Sequence, residues 1–106
     1  MKAPSESGIL RACLQLLALR GVPCWRANTG AARFGGRFVK FNVAGCADVI
    51  GCLPPSGRLL AVEVKKPGGR VRPAQRAFLA RVATAGGLAL VVHDVRELES
   101  ALAEAR

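Results

Sequence analysis

The sequence lacks the patterns that build zinc sites, disulfide frameworks and membrane spans. One histidine accompanies four cysteines, and no two of the cysteines (Cys13, Cys24, Cys46 and Cys52) form a CxxC pair. Structural zinc sites need closer ligand spacing, so a zinc site is not expected. No apolar run approaches the roughly 18 residues of a membrane-spanning helix. The N-terminus has a polar stretch where a signal peptide would be apolar, so the chain is expected to be cytoplasmic, with reduced thiols.

Acidic residues are also scarce. The 106 residues hold 7 acidic and 16 basic side chains, which gives a formal net charge of +9. This excess of positive charge favours a polyanionic partner, and nucleic acid is the expected one. Hydrophobic residues make up 51% of the chain, and its length suits one globular domain over residues 1–106.

Periodicity and turn residues predict an α/β order of elements. Helices are expected over 5–20, over 73–85 and after Asp94, and strands over 22–27, 38–43, 47–53, 58–66 and 88–93. Residues 28–37 are expected to form a glycine- and arginine-containing loop, which lacks the Gly-Lys-Ser/Thr ending of a P-loop. The last two strands, joined by a helix, predict a parallel crossover, and hence a central mixed β-sheet flanked by helices.

The stretch over residues 45–66 carries the predicted chemistry. Its central residues 54–57, Pro-Pro-Ser-Gly, have strong turn chemistry. If they form the loop of a hairpin, facing positions sum to 111 (54 + 57), and Asp48 lies opposite Glu63. Lys65 points to the same face as Glu63, while Val62 and Val64 point into a core. Facing carboxylates repel unless a cation lies between them, so the hairpin predicts a divalent-metal site for phosphoryl chemistry.

These residues resemble a known nuclease signature. Asp48 followed by Glu63-Val64-Lys65 is similar to the PD-(D/E)xK motif, with Ala47 at the proline position. The phrases RANTG (26–30), GCADVIG (45–51), GRLLAVEVK (57–65) and PAQ (73–75) resemble stand-alone VRR-NUC, or virus-type replication-repair nuclease, domains. The resemblance covers nearly the whole chain. It implies a restriction-endonuclease-like core and a protein of bacterial or phage origin.

The resemblance further implies an endonuclease that uses Mg²⁺ or Mn²⁺ to hydrolyse DNA. Asp48, Glu63 and the Val64 carbonyl are the expected metal ligands, since hard oxygen donors suit these ions. Glu6 falls on the apolar side of the first helix. It is either a first-turn carboxylate that suits the helix dipole or a further metal ligand, and the resemblance favours the ligand.

Two more side chains are expected to act beside the metal. Lys65 is expected to orient the attacking water or help deprotonate it, and to offset negative charge in the transition state. Gln75 falls on the apolar face of the second helix, where a glutamine is costly unless it is hydrogen-bonded. It is expected to hold Lys65 or the water, and the alternative is an exposed first-turn glutamine.

Basic residues outside this site are the expected DNA contacts. The candidates are Arg26, Arg33, Arg37, Lys40, Arg70 and Arg72. The basic loop over 28–37 lies beside aromatic residues, and it either tracks a phosphate backbone or is a solvated surface loop.

The first helix predicts self-association. It is apolar round well over half of its circumference, and one core is not expected to cover Ile9, Leu10, Leu16, Leu17 and Leu19 together. A symmetric homodimer would supply the two nicks that a four-way (Holliday) junction requires, so branched DNA is the expected substrate. The alternatives are a flap nuclease and a non-catalytic basic nucleic-acid-binding module.

Overall fold

The computed structural model describes residues 4–27, 31–40 and 43–105, with only the backbone of 31–34 and 38–40. It has three helices, α1 (Glu6–Leu19), α2 (Pro73–Thr84) and α3 (Val95–Glu104). The strands are β1 (Cys24–Arg26), β2 (Ala31–Phe34), β3 (Arg37–Lys40), β4 (Val49–Leu53), β5 (Arg58–Val64) and β6 (Leu88–Val92). The predicted α/β class is confirmed.

Four strands form one mixed sheet in the order β1-β4-β5-β6. β4 pairs antiparallel with both β1 and β5, whereas β5 pairs parallel with β6. Parallel neighbours need a long crossover connection, and α2 supplies it. The predicted parallel crossover is therefore confirmed, and the architecture is compatible with a restriction-endonuclease-like core.

The predicted loop over 28–37 is wrong from residue 31 onward, and residues 28–30 lie outside the described residues. Residues 31–34 form β2, which pairs antiparallel with β3. Gly35 and Gly36 both have positive φ (54° and 80°), and they form the two-residue connection that suits a tight hairpin. Ala31–Phe34 lacks β-branched residues, so local propensity gave no strand signal. Of the strand predicted over 38–43, residues 38–40 belong to β3, Val43 is not in a strand, and residues 41 and 42 lie outside the described residues.

The two faces of the main sheet bury different residues. On one face, β4, β5 and β6 pack against α1 and α3, and the buried members are Ile9, Leu10, Cys13, Leu17, Val22, Val49, Leu53, Leu60, Val62, Val64, Val92 and Leu98. On the other face, Ala47 and Ala61 pack against Leu79 and Val82 of α2. We call these the α1/α3 face and the α2 face. The predicted inward direction of Val62 and Val64 is confirmed.

Helix α1 leaves less apolar surface exposed than its sequence predicted. Ile9, Leu10 and Leu17 are buried and Leu16 is half-buried, while Leu19 is 84% exposed. The expectation that one core could not cover all of these residues holds for Leu19, whereas α3 and the sheet enclose α1 from two sides and bury Ile9, Leu10 and Leu17. The expected homodimer therefore needs support from a surface other than α1.

Strand β6 is less buried than its continuous apolar run predicted. Leu88–Val91 are half-buried, and Val92 is buried. Among the strands that the structure describes, β6 lies at an edge of the sheet, so it has a neighbour on one side only. The predicted helix after Asp94 is confirmed: the Asp94 carboxylate accepts a hydrogen bond from the Glu97 backbone N–H at 3.0 Å.

Candidate active site

The hairpin register brings Asp48 opposite Glu63. Val49 pairs with Val62, and the pairs continue to Leu53 and Arg58 around the turn over 54–57, so every pair sums to 111. Extending the register by one residue places Asp48 opposite Glu63, on the α2 face that Ala61 also occupies. The predicted register is confirmed.

Asp48 stands where the β4 backbone leaves the ladder. The next hydrogen-bonded position of the register would bring residue 47 (111 − 64) opposite Val64, but β4 begins at Val49. Instead, the Asp48 carboxylate accepts the Val64 N–H at 2.8 Å. The Asp48 carbonyl accepts the Ala27 N–H at 2.8 Å, which ties this residue to the end of β1 as well. The Asp48 side chain is thus fixed at the end of the β4–β5 ladder.

The Val64 carbonyl points to the same side as Asp48. The Lys65 N–H donates to the Val92 carbonyl of β6. The N–H and C=O of Val64 therefore point away from β6, toward Asp48 at the start of β4. This direction fits the predicted use of the Val64 carbonyl as an oxygen donor beside the Asp48 carboxylate.

Glu63 is a buried carboxylate with one satisfied and one unsatisfied oxygen. The residue is 2% exposed, and Lys65 is 7% exposed. Oε2 accepts a hydrogen bond from the Gln75 amide at 2.9 Å and lies 3.5 Å from the Lys65 ammonium. Oε1 is buried and has no hydrogen-bond partner in the described part of the chain. An unpaired buried charged oxygen is costly, so this atom marks a position that a cation would stabilise.

Burial and the neighbouring charge change the acidity of Glu63. Loss of solvent first, and then the charge of Asp48, raise the pKa of Glu63 from 4.5 to about 7, although the Lys65 ammonium opposes the shift. Burial, with Glu63 and Asp48 nearby, also raises the pKa of the Cys46 thiol. A second carboxylate close to a buried one disfavours double ionisation, whereas a divalent cation between them would favour it.

Gln75 is positioned by the first turn of α2. Its Oε1 accepts the Arg72 backbone N–H at 2.8 Å, as the third residue of a capping box does. Its amide nitrogen is then free to donate to Glu63. The prediction placed Gln75 at the active site but in contact with Lys65 or a water, and the observed hydrogen bond is to the carboxylate. The glutamine thus satisfies the helix start and orients Glu63 at the same time.

Gly45 brings α2 close to this site, and sequence reasoning gave it no role. Its φ is +72°, and a Cβ built on it would lie 2.1 Å from the Ala74 carbonyl oxygen and 2.8 Å from the Gln75 nitrogen. Only a residue without a side chain lets the loop before Asp48 touch the first turn of α2 this closely. No local pattern signals this requirement, because it arises from the contact between two distant segments.

Glu6 lies near the same edge of the sheet without joining the carboxylate pair. It is exposed at the start of α1, and its carboxylate lies 3.4 Å from the Lys66 backbone nitrogen, directly after Lys65. Within the described ranges, no group of three or more His, Cys, Asp or Glu side chains converges closely enough to hold a metal ion. Its role as a metal ligand therefore stays a prediction.

The donor set fits a small hard cation. Two carboxylates and a backbone carbonyl supply oxygen ligands of the kind that Mg²⁺ and Mn²⁺ prefer. Glu63 Oε1 is buried without a hydrogen-bond partner among the described residues, and the charge of Asp48 acts on the same carboxyl group, so a cation between the two carboxylates would offset both charges. On this observation, Asp48, Glu63 and Val64 would hold the metal.

The predicted DNA contacts lie on several surfaces. Arg26, Arg37, Arg70 and Arg72 are exposed. Arg70 and Arg72 lie in the segment between Lys65 and α2, whereas Arg26 lies on β1 opposite Val49. Arg33 and Lys40 lie on β2 and β3, but their side chains lie outside the described part of the structure. No described helix is long and apolar enough to cross a membrane.

Comparison with known proteins agrees with this geometry. The chain matches the VRR-NUC domain family over residues 5–96, a range that contains Glu6, Asp48, Glu63, Lys65 and Gln75. None of the curated proteins and none of the solved structures compared with the chain matches it. The family match covers most of the chain. The protein therefore belongs to the VRR-NUC domain family, which is a family of nucleases.

Proposed function

We propose that this protein is a divalent-metal-dependent endonuclease that hydrolyses phosphodiester bonds in branched DNA. The observation that carries the proposal is the buried Glu63 carboxylate, which lies opposite Asp48 and has one oxygen without a hydrogen-bond partner among the described residues. A structural pair of surface charges would lie in solvent, whereas Glu63 and Lys65 are both buried. Taking an ion pair out of water costs stability even when its two partners are close, so the arrangement is best explained by chemistry.

Each side chain has a defined task in this proposal. Bound Mg²⁺ or Mn²⁺ would polarise the scissile phosphate and activate a water molecule. Asp48 and Glu63 hold the ion, and the Val64 carbonyl completes the set that the protein supplies. Gln75 fixes Glu63 through its amide and leaves Oε1 free for the ion. Lys65 keeps its ammonium on the opposite oxygen, from where it offsets the negative charge that builds on the phosphate.

Charge and surface support a DNA substrate. The whole segment between Val64 and His93 contains six basic residues and no acidic one: Lys65, Lys66, Arg70, Arg72, Arg76 and Arg81. Four of the seven acidic residues lie within 94–104, in or just before α3 on the other face of the sheet. A phosphate backbone is therefore attracted to the side of the molecule that carries the site.

A homodimer remains part of the proposal, with a different surface from the one that the sequence suggested. Leu59 is 39% exposed, and it lines an apolar groove with Phe78, Val82 and Ala85 on the α2 face. A second copy seated there would put two carboxylate pairs in one particle. One pair supplies one nick, so a symmetric dimer suits a four-way junction.

A substrate panel tests the proposal. Purified protein is incubated with Mg²⁺, with Mn²⁺ or with EDTA on duplex, flap, single-stranded and four-way-junction DNA of matched sequence. We expect metal-dependent cleavage that is greatest on the junction, with a light-scattering mass of twice the monomer. A clean monomer that cuts flaps would contradict the dimer and the junction but keep the metal site. DNA binding without cleavage in any metal would favour the non-catalytic binding module.

A further inference from the structure

The single tryptophan of the chain lies beside the carboxylate pair and is exposed. Trp25 is 56% exposed on β1, opposite Ile50 of β4. Ile50 lies two residues from Asp48, so Trp25, Ile50 and Asp48 share the α2 face of the sheet. Diagonal neighbours across antiparallel strands have Cβ atoms roughly 7–8 Å apart. Trp25 therefore lies diagonally across from Asp48 on the same face of the sheet.

The described elements leave this part of the sheet open. α2 contacts β5 and β6, the two strands farther from β1. α1 contacts β1 from the opposite face, where Cys24 packs against the main core. A tryptophan buries a large apolar area when it is covered, so leaving the indole in water forfeits stability. That loss is understandable if the ring contacts a ligand during function.

The surroundings of Trp25 favour a nucleobase as that ligand. Residues 22–47 contain four basic residues and no acidic residue. An aromatic ring in basic surroundings is the combination that binds unpaired nucleic acid, in which bases stack on rings while cations hold phosphates. Within a continuous duplex both faces of each base are stacked on neighbours. Only a branch point, a single-stranded arm or an end offers a free base face to the indole.

We propose that Trp25 stacks on an unstacked base of the DNA next to the scissile phosphate. This inference rests on the proposed nuclease function and deepens it, because it selects DNA with a free base face over continuous duplex. Trp25 is then a substrate-binding residue, and it lies on the strand next to Asp48, opposite the residue two positions after it. The same contact places the branch at a fixed distance from Asp48 and Glu63, and thereby sets the cutting position.

The lone tryptophan makes the contact directly measurable. In EDTA, where no cleavage occurs, the intrinsic fluorescence of the wild-type protein is titrated with single-stranded, splayed-arm, four-way-junction and circular duplex DNA. We expect quenching with the three substrates that offer a free base face and little change with the circular duplex, which has no ends. Acrylamide quenching is expected to weaken when one of those three substrates is bound.

Variants separate stacking from general affinity. Trp25→Ala should raise the dissociation constant for the splayed-arm DNA about 5- to 150-fold, the loss of one base–aromatic stack, and leave circular-duplex binding unchanged. Trp25→Phe keeps an aromatic face and should recover most of the affinity. Leu19→Ala removes an exposed apolar side chain from α1 on the opposite face of the sheet. It should leave the dissociation constants for both substrates unchanged. Circular dichroism checks that each variant is folded.

Several results would overturn the inference. Equal quenching by circular duplex and branched DNA would do so, as would equal affinities of Trp25→Ala and wild type for every substrate. Emission that shifts on protein dilution without DNA would show that a second copy covers Trp25. Cleavage with Mg²⁺ or Mn²⁺, measured on the same substrates, reports on the proposed function separately: cleavage without any Trp25 effect rejects the stacking alone, and absent cleavage rejects the nuclease.

Discussion

The two faces of strand β5 and its extension to Lys65 bury side chains of opposite character. On the α1/α3 face, Leu60, Val62 and Val64 are almost fully buried among apolar side chains. On the α2 face, the alternate residues Ala61, Glu63 and Lys65 are just as inaccessible, yet two of them are charged. One strand thus supplies the centre of the core and the centre of the site.

This difference shows how the fold supports the chemistry. The apolar face stabilises the strand, since each buried large side chain contributes roughly 1.5–3 kcal/mol by leaving water. The charged face costs stability because Glu63 loses solvent and meets Asp48. A strand fixed by its apolar face can hold unfavourable charges in place on its other face. Substitutions on the apolar face should therefore lower mainly stability, and substitutions on the charged face should lower mainly activity.

The largest expected effect comes from removing a proposed metal ligand. Asp48→Asn should lower cleavage by about 1,000-fold or more, since a bound metal contributes several kcal/mol to such reactions. DNA binding in EDTA, measured by fluorescence anisotropy, should stay near the wild-type value. Full activity of Asp48→Asn at saturating metal would contradict the proposed site.

Leu60→Ala is the matched control on the other face of β5. It should cost about 2–5 kcal/mol of unfolding free energy, the usual result of truncating a buried leucine. At low temperature, where the fold persists, its specific activity should be close to that of the wild type. If Leu60→Ala lost activity as completely as Asp48→Asn while folded, the separation between the two faces would be wrong.

The next largest effect concerns the ammonium of Lys65. Lys65→Ala should lower cleavage about 100- to 1,000-fold, as the loss of one preorganised electrostatic contact does. Metal affinity, measured by calorimetry, should not weaken, because an ammonium has no lone pair to donate to a metal. Lost metal binding, with cleavage restored at high metal, would instead assign Lys65 a structural role at the ligand set.

The cost of the charged face can be measured without metal. The pKa of Glu63 is raised in the folded state, so the metal-free protein should lose stability as pH rises from about 4.5 through about 7. The shift corresponds to about 3 kcal/mol of stability, present at low pH and lost above pH ~7. Thermal unfolding in EDTA should show this trend in the wild type and a weaker one in Glu63→Gln. Identical pH profiles of the two proteins would show that Glu63 is not the titrating group.

A smaller effect is expected from the side chain that orients Glu63. Gln75→Ala removes the hydrogen bond to Oε2 and the cap on the Arg72 N–H, and it should lower activity or metal affinity about 10- to 100-fold. Thr84→Ala, at the exposed end of the same helix, should leave both unchanged. If Gln75→Ala kept wild-type kinetics and metal affinity, the role of the glutamine would be limited to capping α2.

The smallest expected effect tests whether DNA binds on the α2 face. Replacing Arg70 and Arg72 together by alanine should weaken DNA binding and reduce the salt dependence, with a slope change of roughly 0.9 per lost phosphate contact. Replacing Arg20, directly after α1, and Arg96, in α3, removes the same amount of charge from the other side of the sheet, and it should leave the slope nearly unchanged. Equal slope changes in the two double variants would place the DNA across both faces.

Much of the site was predictable because it depends on local patterns. The turn over 54–57 fixes the register, and the two-residue period of a strand then places Asp48, Glu63 and Lys65 on one face. Pro73 at the start of α2 and the two glycines after its last turn determine the bounds of the helix. The observed end lies within one residue of the predicted end. These signals act over a few residues, so the sequence alone was sufficient to determine them.

Other features depend on which elements meet, and only the tertiary structure decided them. The covering of α1, the edge position of β6, the approach of Gly45 to Ala74 and the exposure of Trp25 follow from packing between distant segments. The same holds for Glu63: the sequence places it opposite Asp48, but its burial, its bond to Gln75 and its unpartnered oxygen arise when α2 closes over the sheet. Periodicity specifies the face on which a side chain lies, whereas its solvation and its partners depend on what packs against that face.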